Sequence, residues 1–372
     1  MSAPTLPTSS PPALGGGPET RLSAGELLTR LGPVIGLVFV FVVFACMNPK
    51  DFLTLDNFTT ILYLTTVVTT AALGMTLIII AGGIDLSVGS SIALVTVIVA
   101  QLLCRFSTGH FYAPGIEADS PSAMMALLAA LGGIGVAALA GLVIGLLVTR
   151  LKMAPFIVTL GMWSALRGAA KLLGNESMVR SPPTWLNQLL KSRPALDVPQ
   201  GGGSVLFQLH RVFAWIAHMP YAVWLTAVLA VLVALMLRYT RFGRHIYAIG
   251  SNESTARLCG IRVDLMKVLI YTLGATFAGI AGILQFSFVK MGDPTTATGK
   301  ELDVIAAVVV GGASLNGGRG GITGTIFGAL IMSIVDNGCT NAGISNSWQQ
   351  VLTGGIIIAA VAADRLRWRK QT

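Results

Sequence analysis

A carboxylate and two hydroxyls interrupt apolar sequence at Gly82-Gly83-Ile84-Asp85-Leu86-Ser87-Val88-Gly89-Ser90. An isolated ionisable group at membrane depth costs several kcal/mol, so one that persists has a task. Two tasks suit Asp85 and are compatible. It can line a polar path and accept hydrogen bonds from a solute, or it can cap a helix beginning at Leu86 through the amides of Ser87 or Val88. A second polar segment, residues 238–265, carries helix punctuation. Asn252 is an N-cap residue, Glu253 sits at the positive end of the dipole, Arg257 falls in the last turn, and Gly260 stands where a left-handed stop is wanted. A helix of about seven residues is about 10 Å long, too short to span a bilayer. With small residues on one face it can seat in a groove of a partner; the plain alternative is an ordinary capped loop helix.

No constellation for bond-making chemistry accompanies these residues. His110, His210, His218 and His245 lack metal-ligand spacing, and Cys46, Cys104, Cys259 and Cys339 form no CxxC pair. The glycines at Gly292 and Gly299 are too far apart for a phosphate-binding loop, and Lys300 is followed by Glu301 rather than Ser or Thr. The sequence therefore predicts no catalytic residue, no metal site and no ATP hydrolysis by this chain.

The elements that must hold these residues follow from composition. Of 372 residues 53% are hydrophobic and 11% charged, against about 25% charged in globular chains; mean hydropathy is +0.75. That excludes an ordinary cytosolic enzyme and a nucleic-acid-binding module, despite a formal charge of +9. The apolar segments are long runs rather than ten-residue alternations, so the spans are helices in a lipid bilayer.

A hydrocarbon core of about 30 Å takes about 20 apolar residues per helix. That window places spans near 31–47, 60–81, 87–104, 124–148, 155–173, 221–237, 266–286, 302–315, 321–337 and 348–363. The fold expected is an all-α polytopic membrane protein of about ten transmembrane helices, the segments at 87–104, 155–173 and 302–315 being short or broken. Residues 1–30 read as a disordered cytoplasmic tail, 31–364 as the membrane domain and 365–372 as a basic cytoplasmic tail. Most of the 25 Lys and Arg fall in loops that an inward N-terminus places inside, which puts both termini and the 238–265 loop in the cytoplasm. The stretch 174–220 is then an extended external loop, with short amphipathic helices at 185–190 and 205–218.

Glycine is abundant, at 43 residues. Gly141 and Gly145, and the register Gly320, Gly324, Gly328, read as helix-packing faces. The pattern Gly311-Gly312-x-x-Leu315-x-x-Gly318 repeats the spacing of Gly82-Gly83-x-x-Leu86-x-x-Gly89, either by chance or as paired breaks in two related halves.

Residues 243–264, 81–90, 154–161 and 301–318 together resemble, in the right order, the permease subunits of ribose, xylose and arabinose type ATP-binding-cassette importers, within the branched-chain amino acid and ribose permease superfamily. The resemblance runs from about residue 51 to 364. It implies that the 238–265 loop carries a coupling helix that docks on an ATPase subunit, through Gly250, Ser251, Asn252, Glu253, Ala256, Arg257 and Gly260. It also implies a second permease subunit, a soluble periplasmic or extracellular sugar-binding protein meeting loops 48–57, 105–123 and 287–300, and a bacterial plasma membrane setting. ATP and Mg²⁺ would be used by the partner, with no cofactor in this chain. The 174–220 loop is longer than the family's, by a tolerated insertion or an enlarged contact. Sugar hydroxyls need hydrogen bonds rather than charge, and Asp85, Ser87, Thr159, Asp303, Asn316 and Asn337 are the path candidates. From other classes, an ion-coupled secondary transporter of a small polar solute is the rival, disfavoured by few intramembrane carboxylates. A membrane enzyme lacks a catalytic constellation.

Overall fold

The computed structural model describes residues 24–112, 119–190 and 219–369, with side chains from 32 to 112, 119 to 190 and 219 to 362. Two units divide the chain, Met1–Gly32 and Pro33–Thr372. In the first, residues 24–32 are helical, so helix begins inside the segment read as tail; the reading of residues 1–23 lies outside the described residues, as does the short helix expected at 205–218.

The helices are α1 (Ala24–Met47), α2 (Pro49–Phe52), α3 (Leu55–Ile80), α4 (Val88–Thr108), α5 (Ala123–Arg150), α6 (Pro155–Leu173), α7 (Tyr221–Tyr239), α8 (Arg241–Ser251), α9 (Glu253–Leu258), α10 (Val263–Val289), α11 (Lys300–Val310), α12 (Ile322–Asn341) and α13 (Asn346–Arg369). Each of the ten expected spans falls on one of them. Seven, α3 to α7, α10 and α12, are long and apolar enough to cross a membrane. The segment expected at 302–315 is the exception in length: α11 has 11 residues, about 16 Å, half a bilayer. Its sequence stops it at Gly311 and Gly312, the latter at φ +94°.

Local signals account for the starts. Thr54 Oγ1 accepts from the Asn57 amide at 3.2 Å to cap α3, and Ser122 caps α5 through Met125. Pro155 opens α6, where its missing N–H costs nothing. In the interior, α10 packs on α5, α3 and α4. Gly74 of α3 meets the Gly274 backbone of α10, and Gly141 and Gly145 of α5 meet the α10 backbone at Tyr271 and Val268, the expected close approach of small residues. Gly324 and Gly328 let α12 cross the backbone of α11 in the same way. Helices α3 and α4 are almost wholly buried, whereas α5, α6 and α7 present Leu128, Leu131, Phe156, Ile157, Val231 and Leu232 outward. Such an apolar exterior fits helices that face hydrocarbon or a second membrane subunit.

The segment after α6 is more structured than its composition suggested. β1 (Val179–Arg180) pairs antiparallel with β2 (Met291–Gly292), just beyond α10. The expected helix at 185–190 is a 3-10 turn, Trp185–Gln188, started by Thr184 and Asn187 in mutual hydrogen bonding. The Leu190 amide donates to Ser287 of α10 at 3.1 Å.

Candidate functional site

The loop between α7 and α10 is a two-helix module. α8, in a stretch whose composition reads as loop, is started by Thr240, whose Oγ1 accepts from Gly243 at 3.1 Å. It buries Gly243, Ile246 and Ile249 on one face. The sequence signal for it is the Phe242, Ile246, Ile249 spacing, masked by Arg241, Arg244 and His245 on the other side. α9 is built as its punctuation requires. Asn252 Oδ1 accepts from the Thr255 amide at 2.9 Å. Gly260, at φ +83°, closes the helix while its amide reaches the Arg257 carbonyl and the Ile261 amide reaches that of Ala256, each at 3.1 Å.

Of the residues singled out in this loop, Ala256 is buried, while Asn252, Glu253, Arg257 and Gly260 are exposed. Glu253 and Arg257 are engaged within the chain. Arg257 bonds Asp264 at 2.8 Å and lies 3.5 Å from Glu253, and Lys267 bonds Glu253 at 2.7 Å. These pairs tie α9 to the start of α10. What projects freely is Leu258, 88% exposed, with Cys259 and Gly260 beside it.

Gly250 and Ser251 face the other way. A Cβ on Gly250 would collide with the carbonyl of Ile80 and the amide of Gly318, and Ser251 lies against Gly318. Tyr247 donates its hydroxyl to the Gly320 carbonyl at 2.9 Å. Burial pushes the Tyr247 phenol above its ordinary value, so it stays a donor. The module therefore rests at once on the end of α3 and on the turn between α11 and α12.

Those two segments are the glycine-rich breaks. Both helices end in the same hydrogen-bonded stop: Gly82 and Gly83 donate to Ile79 and Ile78, and Gly312 and Ala313 to Val309 and Val308. The equivalent left-handed residues are Gly82 and Gly312, so the structural match is one residue out of register with the sequence repeat. Beyond the stop the two diverge. The first enters α4 by residue 88, whereas the second makes a turn with Gly317, Gly318 and Gly320 all at positive φ.

Asp85 is 1% exposed and accepts from the Ser87 amide at 2.8 Å and hydroxyl at 2.6 Å, the turn that admits α4. The helix begins at Val88 rather than Leu86. Thr159 of α6 reaches the Ile84 carbonyl at 3.4 Å, so Asp85, Ser87 and Thr159 share one neighbourhood. The other path candidates lie apart. Asp303 pairs with Lys300 at 3.2 Å, which also holds Asp336 at 2.9 Å. Asn337 donates to Asn57 at 2.6 Å, a contact between α12 and α3. Asn316 belongs to the second break, its amide on Ser314 at 3.4 Å.

A polar cluster not among those candidates joins α6 to the start of α11. Trp163 Nε1 donates to Glu301 Oε1 at 3.2 Å, and Arg167 Nη1 to the carbonyls of Pro294 and Thr296 at 3.0 and 2.7 Å. In the loop expected to face outward at 287–300, Asp293 and Pro294 are buried while Thr295 and Thr298 are exposed. Glu301 also lies against Gly89, where a Cβ would strike its carboxylate. The rule applied to Asp85, that charge at membrane depth is kept for a task, points to Arg167 within the span at 155–173 as well, whereas Glu301 falls just outside its span.

A bundle of membrane-crossing helices with two glycine-stopped breaks, and a polar two-helix module bearing on both, defines a polytopic transport protein. The sequence matches the family described as branched-chain amino acid transport system / permease component over residues 57–361, and the chain belongs to that family. It is 35% identical to the ribose import permease protein RbsC of Escherichia coli (strain K12), over 89% of this chain and 92% of that one. It is 32% identical to the fructose import permease protein FrcC of Rhizobium meliloti, over 90% and 84%. It is 30% identical to the L-arabinose ABC transporter permease protein AraH of Azospirillum brasilense, over 96% and 94%. The resemblance carried by the four motif segments is borne out. No solved structure matches.

Proposed function

We propose that this chain is the permease subunit of an ATP-binding-cassette importer and forms the path for a monosaccharide, a pentose, hexose or related polyol. Family membership and the relatives' sugar substrates support the reading. The observation that carries it is the two-sided α8–α9 module: Leu258 stands free on one side, and Gly250 touches both breaks on the other. A partner ATPase, which binds ATP and Mg²⁺, grips the free side. Its closure moves α8, and α8 moves the ends of α3 and α11 together, so the path alternates in access. In this reading the module and both termini are cytoplasmic in a bacterial plasma membrane, a second permease subunit completes the path, and a sugar-binding protein delivers substrate outside. This chain is not itself an enzyme.

Uptake in cells co-expressing the permease, its ATPase and its binding protein tests this. ATP depletion abolishes uptake and an uncoupler leaves it intact; the opposite pattern identifies the rival ion-coupled transporter.

A further inference from the structure

We propose that Glu301, Arg167 and Trp163 form a hydroxyl-binding site for the transported solute, a neutral polyol; the assignment rests on the importer reading above. Glu301 is 8% exposed, in the first turn of α11. One carboxylate oxygen takes the Trp163 indole N–H, and the other, Oε2, is shut from solvent with no partner. Arg167 lies one turn along α6 from Trp163, on the same face. Its Nη1 holds two carbonyls, while Nη2 is likewise buried and unpartnered.

A buried carboxylate oxygen without a donor and a buried guanidinium nitrogen without an acceptor are each costly to leave unpaired, and a ligand that supplies both removes that cost. The pair selects the ligand. A cation satisfies Glu301 and is repelled by Arg167; an anion does the reverse. A sugar hydroxyl pair donates to Oε2, accepts from Nη2 and adds no net charge, and the indole supplies the adjoining aromatic surface. The site is also connected to the breaks. Glu301 heads the half-helix that ends at Gly311 and Gly312, and it abuts Gly89 in the first turn of α4, just beyond Asp85 and Ser87. The two free atoms are closed off here, so the solute reaches them when α6 parts from α11.

The complete importer in proteoliposomes provides the test, with D-ribose, D-fructose and L-arabinose as probes and ATP hydrolysis measured in the same vesicles. Glu301→Gln is expected to lower sugar uptake at least tenfold while hydrolysis stays within twofold. Trp163→Phe is expected to change the ratio of rates among the three sugars at least threefold. Uptake by Glu301→Gln within twofold of wild type overturns the site. If uptake and hydrolysis fall together in that variant, the sugar ratio in Trp163→Phe decides: a changed ratio supports the site and an unchanged one overturns it. Wild-type vesicles whose sugar uptake runs on an ion gradient and not on ATP overturn the importer reading, and the site with it.

Discussion

The amide of Gly318 donates to the carbonyl of Ile80 at 2.8 Å, joining the turn after α11 to the end of α3. Gly250 lies against both atoms. Backbone of three distant segments therefore meets at one point, and no side chain is interposed to absorb movement. A displacement of α8 has to reach both breaks.

Gly250→Ala tests that contact. Its methyl meets backbone that cannot rotate away, at a cost of about 1–3 kcal/mol. The variant should insert, unfold at lower temperature in detergent, and lose most uptake. Unchanged melting and uptake would show that the contact is not tight.

Tyr247→Phe removes the hydrogen bond to the Gly320 carbonyl and keeps the ring. A loss of about 0.5–1.5 kcal/mol is expected. Because burial holds the phenol above its ordinary value, the wild-type bond persists below that raised value and is lost only as pH rises through it. The difference between the two proteins should accordingly be constant from pH 6 to about pH 9, as read by thermal melts.

Leu258→Asp places a charge on the exposed tip of α9 without touching the core. Co-purification of the ATPase should fall at least tenfold while the permease melts normally. Retention of the ATPase would move the docking surface elsewhere.

Gly260→Trp meets open space but forces a large side chain into a left-handed position, and Asn252→Pro removes both the cap and the amide that reaches Ala248. Each should leave the permease in the membrane and uncouple uptake from hydrolysis. Normal transport by either variant with its ATPase bound contradicts the coupling role.

The ten helices and the α9 caps were legible because hydropathy and capping are local properties. The Asn252 start and the Gly260 stop each depend on residues within about one turn. What brings Gly250 to Ile80 and Gly318 is long-range, and a glycine needed for backbone contact looks like one needed for a turn. Two glycine-rich stretches matched by spacing proved to share a stop in a different register, since Gly82 and Gly312 are chosen by helix geometry and not by their place in a pair. Glu301 lay at the edge of a short span, where Lys300 made the charges look like a loop. The approach of Trp163 and of Gly89 shows it to be internal.

The most direct measurement is ATP-dependent uptake of a monosaccharide by vesicles holding the permease, its ATPase and its binding protein. The account predicts accumulation of ribose, fructose or arabinose that needs ATP, survives dissipation of ion gradients, and is lost in Leu258→Asp. Accumulation that persists without ATP and collapses with the ion gradient would contradict it.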